Sequence, residues 1–454
     1  MLVKQLRFRA LVFGVFSFCA VTYLLLPSSP YQLQEEIYYY IPGLRAHDAP
    51  RHPRYKSAQR IPPPIVDNFP LAAAAKTPSD LPPVPSYNRP PAQHAPEKTP
   101  LFIGFTRNWP LLQQAVVSYI TAGWPPSDIY VVENTGTMNA NARGQLTLQN
   151  PFYLDHRRLT DIFGINVIST PTYLSFSQLQ NFYIHESIQR NWTHYYWSHM
   201  DAAAVSKEDW SDPHTKTYRP LYARVVEDLR DTLTWPASHR WAVKLYAYDR
   251  LALVNRAAYE AVGGWDTQIP YYGTDCDMHE RLLMAGYTLD NAQVGLVYDV
   301  GAALDDLLVL YRRKPVGNEA PIKAVAKPTG EARGSGNGTL HVQPAPAKKT
   351  VQTWGEEDAL ASQAFHLLAK RLDVLQREKN SNARGRNTWQ AQQFGGKGEP
   401  YYRDPEGFET ALQMTIKFGR EVMAEKWGRK GCSLRSGGLQ IEDQWRVRHD
   451  SDWN

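Results

Sequence analysis

Residues 262–287 read VGGWDTQIPYYGTDCDMHERLLMAGY. Gly263 and Gly264 close a short helix over AAYEAV, and a Trp265–Asp266 turn follows. A glycine past the last turn accepts the left-handed backbone that other residues resist. Beyond Pro270 and two tyrosines, MHERLLMAGY has helical periodicity and stops at Gly286. The acids of TDCD therefore stand where this helix begins. Two roles are open to them. Thr274 or Asp275 can cap the helix, with Asp277 in the first turn where the dipole favours negative charge. Alternatively, Asp275 and Asp277 carry chemistry.

Upstream, WAVKLYAYDRLALVNR (241–256) reads as strand, turn, strand. Further back, LFIGFT (101–106), DIYVVEN (128–134), FGINVIST (163–170) and THYYWSHMDA (193–202) read as short buried strands. Helical stretches alternate with them, WPLLQQAVVSYITAG (109–123) and SFSQLQNFYIHESIQRN (175–191). This order predicts an α/β fold, a mixed, mostly parallel sheet with helices on both faces. Ligands of such sheets bind beyond the carboxyl ends of the strands. That rule selects Thr106, Arg107, Glu133, Asn134 and Asp201, the polar residues that end them. Downstream, residues 315–350 are rich in Gly, Pro, Ala and Lys and read as a flexible insertion. Helical patterns return over Glu356–Lys379 and about Pro405–Lys426, separated by a polar loop, and there is no internal repeat.

From Thr106 to Tyr287 the arrangement resembles the GT-A glycosyltransferases, which use nucleotide-sugar donors. Strand ends FTRN and VVENTG, the helix carrying SQLQNFYI, the strand ending HMD, and GG-aromatic-D followed by G-x-D-x-D carry the resemblance. It covers less than half of the 454 residues, and the last third is expected to be a fungal-type elaboration of the same catalytic unit. The resemblance implies Asp275 as the base that takes the acceptor's proton and Asp277 as a further acid of that cluster. It implies a divalent metal at Asp201, with His199 in place of the family's first acid, and a late histidine ligand for which Asp299 stands in here. It implies nucleotide contacts from Thr106, Arg107, Glu133, Asn134 and Asn181, and acceptor contacts from Trp265, Asp266 and Tyr272.

The reaction's physical demands agree with those residue types. Loss of a nucleoside diphosphate concentrates negative charge, which a carboxylate-held divalent cation offsets. An imidazole ligand suits Mn²⁺ better than Mg²⁺; metal independence stays open, as does a plain structural role for His199. An aspartate of ordinary pKa about 3.9 is already ionised and able to accept a proton. Asp275 and Asp277 are too close in sequence to flank a glycosidic bond from opposite faces, which excludes a two-carboxylate hydrolase built on this motif.

The remaining composition sets the surroundings. A net charge of +5, with no basic stripe interleaved with aromatics, excludes a nucleic-acid reader. Ala10–Leu26 is uncharged and apolar, follows Lys4, Arg7 and Arg9, and reads as a transmembrane signal anchor behind a cytosolic tail of residues 1–9. LLLPSSP is a poor cleavage site, which favours an anchor over a removed signal peptide. Seventeen of the 33 prolines lie between Pro27 and Pro100, so 27–100 is expected to be an extended stem. The catalytic core is then 101–314, the insertion 315–350, and the helical extension 351–454. Asn191-Trp192-Thr193 and Asn337-Gly338-Thr339 are glycosylation sequons. Cys276 and Cys432 can form a disulfide, though two cysteines do not decide it.

The expectation is a type II protein of the Golgi or ER membrane with a lumenal head. It would move a sugar from a nucleotide-sugar donor to a glycan or glycoconjugate acceptor, with inversion. Uridine and guanosine donors are equally open. The alternative is a catalytically silent head of the same fold that binds a carbohydrate or partner.

Overall fold

Alternation along LFIGF positions everything else. In β1 (Leu101–Phe105), Leu101, Ile103 and Phe105 enter the core on one face and Phe102 enters the core on the other. The computed structural model describes Tyr55 and residues 63–90, 97–210, 217–314, 354–381 and 395–449. The chain forms two units, Met1–Arg60 and Ile61–Asn454. Tyr55 is the described residue of the first, and the described strands and helices belong to the second.

Strands β2 (Ile129–Glu133), β3 (Asn166–Ser169) and β4 (His194–Ser198) join β1 in parallel, and β6 (Trp241–Leu245), β7 (Leu251–Asn255) and β8 (Thr288–Asn291) extend the sheet. The spatial order is β3-β2-β1-β4-β7-β6-β8. Only β7 runs antiparallel to its neighbours β4 and β6, while β6 and β8 are parallel. The expected mixed, mostly parallel sheet is therefore present. β5 (Ala202–Val205) and β9 (Leu296–Asp299) form a separate antiparallel pair.

The described helices are α1 (Pro70–Ala74), α2 (Trp109–Thr121), α3 (Phe176–Gln189), α4 (Leu221–Leu233), α5 (Arg256–Ala261), α6 (Thr274–Met284), α7 (Gln363–Ser381) and α8 (Pro405–Trp427). Apolar residues of α2, α4 and α7 pack with the Leu101, Ile103 and Phe105 face. Those of α3, α5 and α6 pack with Phe102, Val132, Tyr195 and Trp197 on the opposite face. Phe102 stacks on Tyr183 of α3 with ring centroids 4.8 Å apart. Gly104 permits that approach, because a Cβ there would collide with the Tyr183 hydroxyl and Leu179. β1 lies between β2 and β4, so the strand order reverses at β1, the kind of position beyond which ligands of such sheets bind.

The stem expectation is corrected where residues are described. Phe69, Ala72, Ala75 and Leu81 are buried in the main core. The Asn68 amide donates to the carbonyls of Pro110 and Leu304, and Asp67 pairs with Arg158 at 2.6 Å. Burial of Phe69 contributes about 1.5–3 kcal/mol to seating this segment, beside the other apolar and polar contacts. The two C-terminal helical patterns correspond to α7 and α8. Ala10–Leu26 and the 315–350 insertion lie outside the described residues. Among the described residues, no helix is long and apolar enough to cross a membrane.

Candidate functional site

At the ends of β2 and β3 a cavity of about 380 Å³ opens, lined by Glu133, Thr135, Thr137, Arg143, Ser169 and Thr170 among others. Glu133 accepts from His156 Nε2 at 2.8 Å, Asn141 Nδ2 at 2.7 Å, Ser169 at 3.0 Å and Thr135 at 3.0 Å. Burial pushes its pKa up, but the hydrogen bonds from His156 and Asn141 outweigh burial and hold it below the usual glutamate value. Asn134, expected to contact nucleotide, is spent on its own chain: it accepts from Leu174 N at 2.7 Å and donates to Leu174 O at 2.8 Å. Thr106 is half-buried just past β1. Arg107 is buried, pairs with Glu409 of α8 at 2.8 Å and lies 4.5 Å from the Phe408 ring centroid. Burial lowers its pKa against the opposing pull of Glu409. Just before α8, Arg403 donates to the carbonyls of Thr135 and Gly136, so the C-terminal extension props the cavity wall.

A second group of charges lies past β4. β4 stops at Ser198, and His199–Asp201 form the turn into β5. Ala202 pairs with Asp299, and Val300 N donates to Asp201 O at 2.9 Å, which sets Asp201 and Asp299 side by side. Between them sits the Lys379 ammonium of α7, 2.6 Å from Asp201 Oδ2 and 2.5 Å from Asp299 Oδ1. Burial disfavours that charge, but the two carboxylates outweigh it and raise the lysine pKa. His199 Nδ1 is 3.9 Å from Asp201 Oδ1, and its Nε2 is 3.5 Å from Asp249 Oδ2. Burial opposes protonation of His199, and Asp249 with Asp201 and Asp299 overcomes it, raising the pKa above 6.5. The three expected metal ligands are thus neighbours, but they do not fit a divalent ion. The place between the two carboxylates is taken by an ammonium. Among the described residues, no group of three or more His, Cys, Asp and Glu is arranged to hold a metal.

The turn from β6 to β7 links this group to Asp275. Tyr248 donates to Asp275 Oδ2 at 3.1 Å, while the next residue, Asp249, faces His199. His279, one turn along α6 from Asp275, feels the charges of both Asp275 and Asp249; burial nevertheless lowers its pKa. Asp275 is half-buried in the first turn of α6 behind Gly273, whose φ of 95° starts the helix.

Four of the other expected site residues are structural here. Asp277 is fully buried and accepts from Arg281 Nε at 2.8 Å and Trp427 Nε1 at 2.9 Å, with Lys426 Nζ at 2.7 Å. It is a buried anchor for α8 and does not open to a substrate. Asp266 holds the other side of Lys426 at 2.7 Å. Trp265 is 3% exposed within the core and offers no face for a sugar to stack on. Asn181 grips the Trp265 backbone, accepting from its N at 2.8 Å and donating to its O at 2.9 Å. Tyr272 remains exposed, with the Arg420 guanidinium 5.3 Å from its ring centroid. Cys276 and Cys432 form a disulfide that ties α6 to the segment after α8. Asn191 is exposed at the end of α3, and Asn337 lies outside the described residues.

Tyr248, Asp249, His279, Lys379 and Glu409 escape a sequence reading. Tyr248 and Asp249 sit inside what reads as an ordinary strand turn, and Lys379 and Glu409 read as solvated helix charges. A signal did exist for Lys379: it continues the buried stripe Phe365, Leu368, Leu372, Leu375 at helical spacing.

No family model matches this chain, and no curated protein matches it. Solved structures do. A mannosyltransferase from Pyrobaculum calidifontis in complex with GDP-Man and Mn²⁺ is 16% identical, over 48% of this chain and 59% of that one, with a TM-score of 0.25. The catalytic domain of Drosophila beta1,4-galactosyltransferase 7 in complex with xylobiose is 11% identical over 43% and 65%, with a TM-score of 0.24. A cytidylyltransferase from Leptospira borgpetersenii is 10% identical over 43% and 76%, with a TM-score of 0.28. The match spans less than two thirds of either glycosyltransferase. Likenesses this distant carry no residue and no reaction over to this chain.

Proposed function

We propose that this chain is a GT-A-type glycosyltransferase that moves a sugar from a nucleoside-diphosphate donor to a hydroxyl of a glycan or glycoconjugate. One observation carries the reading: a single turn joins the two groups of acids. Tyr248 holds Asp275, and the adjacent Asp249 faces His199 beside Asp201. The cavity at the carboxyl ends of β2 and β3 supports a nucleoside site, because ligands of such sheets bind beyond those ends.

In this reading the acceptor oxygen bonds to the anomeric carbon as the bond from that carbon to the diphosphate breaks. The acceptor's proton passes to the Asp275 carboxylate. A single displacement inverts the sugar. The Tyr248 hydroxyl fixes one oxygen of Asp275 so that the other can face the acceptor. Tyr272 is the exposed aromatic on the acceptor side. The Cys276–Cys432 disulfide supports an oxidising compartment, and with the sequence-predicted anchor this fits a lumenal head on a Golgi or ER membrane.

Asp275→Asn tests the reading. Nucleotide binding, measured by calorimetry with UDP and GDP, is kept, while sugar transfer falls at least about a hundredfold. Near-normal transfer removes Asp275 from the role. A silent binding head is the second reading, favoured by Glu409 on Arg107 and Lys379 on Asp201. It predicts no thermal stabilisation by any nucleotide diphosphate.

A further inference from the structure

The Asp201–Lys379–Asp299 contact is built from three directions. The β5–β9 pairing fixes both aspartates at one end of the small sheet. The apolar stripe of α7 packs Phe365, Leu368, Leu372 and Leu375 into the main core and delivers Lys379 one turn later. Gln376, on the same helix, locks the register: its Oε1 accepts from Asp299 N at 2.9 Å and from Arg250 Nη1 at 2.8 Å. Arg250 in turn donates to Val297 O in β9.

Two carboxylates that face one point repel each other unless a cation lies between them. Here the cation is covalently attached to the chain, and its side chain is 2% exposed. A divalent ion entering the same place must first expel a buried ammonium that both carboxylates hold. The tether also holds the competitor at a high effective concentration, so a dissolved ion competes poorly with it.

We propose that Lys379 is the resident cation of this site, occupying the place between Asp201 and Asp299 that a divalent metal would take and closing it to that metal. Lys379 is then a positioning residue. It holds both carboxylates and α7 in register, and the nucleotide diphosphate of the reading above binds without a metal held by Asp201. That last consequence rests on the glycosyltransferase reading; the exclusion of metal does not.

The test uses the full chain. Mn²⁺ binding is followed by electron paramagnetic resonance and by calorimetry for the unaltered protein, Lys379→Arg, Lys379→Met and Asp201→Asn. The unaltered protein and Lys379→Arg are expected to take up no Mn²⁺ at this site. Lys379→Met is expected to bind it about tenfold or more tightly than either, and to lose it when Asp201→Asn is added. Should Lys379→Met fail to fold, the unaltered protein still decides: Mn²⁺ bound there and released by Asp201→Asn overturns the proposal. In parallel, thermal shifts with UDP and GDP are compared in EDTA and in Mn²⁺. Equal shifts support the proposal. A shift that appears only with Mn²⁺ and is lost in Asp201→Asn overturns it and leaves the glycosyltransferase reading standing. No shift in either condition overturns the glycosyltransferase reading, and the Mn²⁺ titration then decides on Lys379 alone.

Discussion

The Tyr248 hydroxyl donates to Asp275 Oδ2 at 3.1 Å, from a residue whose φ of 55° places it in the left-handed region. A non-glycine residue held there is uncommon, and strain of this kind collects at functional sites. The strained turn serves both acid groups, because its next residue is the partner of His199.

Tyr248→Phe removes that hydrogen bond and keeps the ring. A hydrogen bond to a charged group contributes about 1.5–3 kcal/mol, so transfer is expected to fall by about tenfold to a hundredfold. Nucleotide affinity stays unchanged. Steady-state kinetics beside calorimetry read both, and an equal loss of nucleotide binding would assign Tyr248 to the donor side.

Asp275 and Asp277 are two residues apart, and their substitutions are expected to behave in opposite ways. Asp277→Asn leaves Arg281 buried without its carboxylate and Lys426 with Asp266 in place of two, and should destabilise the fold by about 3–5 kcal/mol. Asp275→Asn, half-buried, should change stability by less than about 1 kcal/mol while abolishing most transfer. Denaturant unfolding of the two variants checks the contrast.

The disulfide closes a loop of sequence separation 156. Replacing Cys276 and Cys432 together by serine should cost about 2–5 kcal/mol. The loss should be felt first in the region around α8, whose buried Lys426 and Trp427 anchor on Asp277 beside Cys276. Hydrogen exchange on the double variant measures where protection is lost.

Glu133 makes part of the stability depend on acid. Its folded pKa is depressed from an ordinary value of 4.5, so its contribution is complete above that value and disappears as pH falls through the lower folded pKa. Unfolding free energy measured from pH 6 downward should therefore drop more steeply in the unaltered protein than in Glu133→Gln. Identical slopes would show that the His156 and Asn141 contacts do not hold the charge.

Much of the frame was legible along the chain. β1, β2, β3 and β4 match LFIGF, IYVVE, NVIS and HYYWS because each is a short run that buries at least part of both faces, and α2, α3 and α8 match their periodic stretches. β5, β8 and β9 were not legible. AAAV lacks large side chains, and TLDN and LVYD are too short and mixed to show alternation. The stretch before Pro100 misled for a related reason: its proline content argues for an extended tether, while burial of Phe69 and the Asp67–Arg158 pair depend on partners far along the chain.

From the sequence alone come the α/β order, the crevice at the strand ends and Asp275 at the head of a helix, because periodicity and capping are properties of neighbouring residues. Only the tertiary structure decided what each acid faces. Asp277 turned inward onto α8, and Asp201 met Lys379 from 178 positions away. Arg107 met Glu409 across 302. A charge's role depends on which opposite charge the folded chain delivers within a few ångströms, and contacts over such separations leave no pattern along the chain.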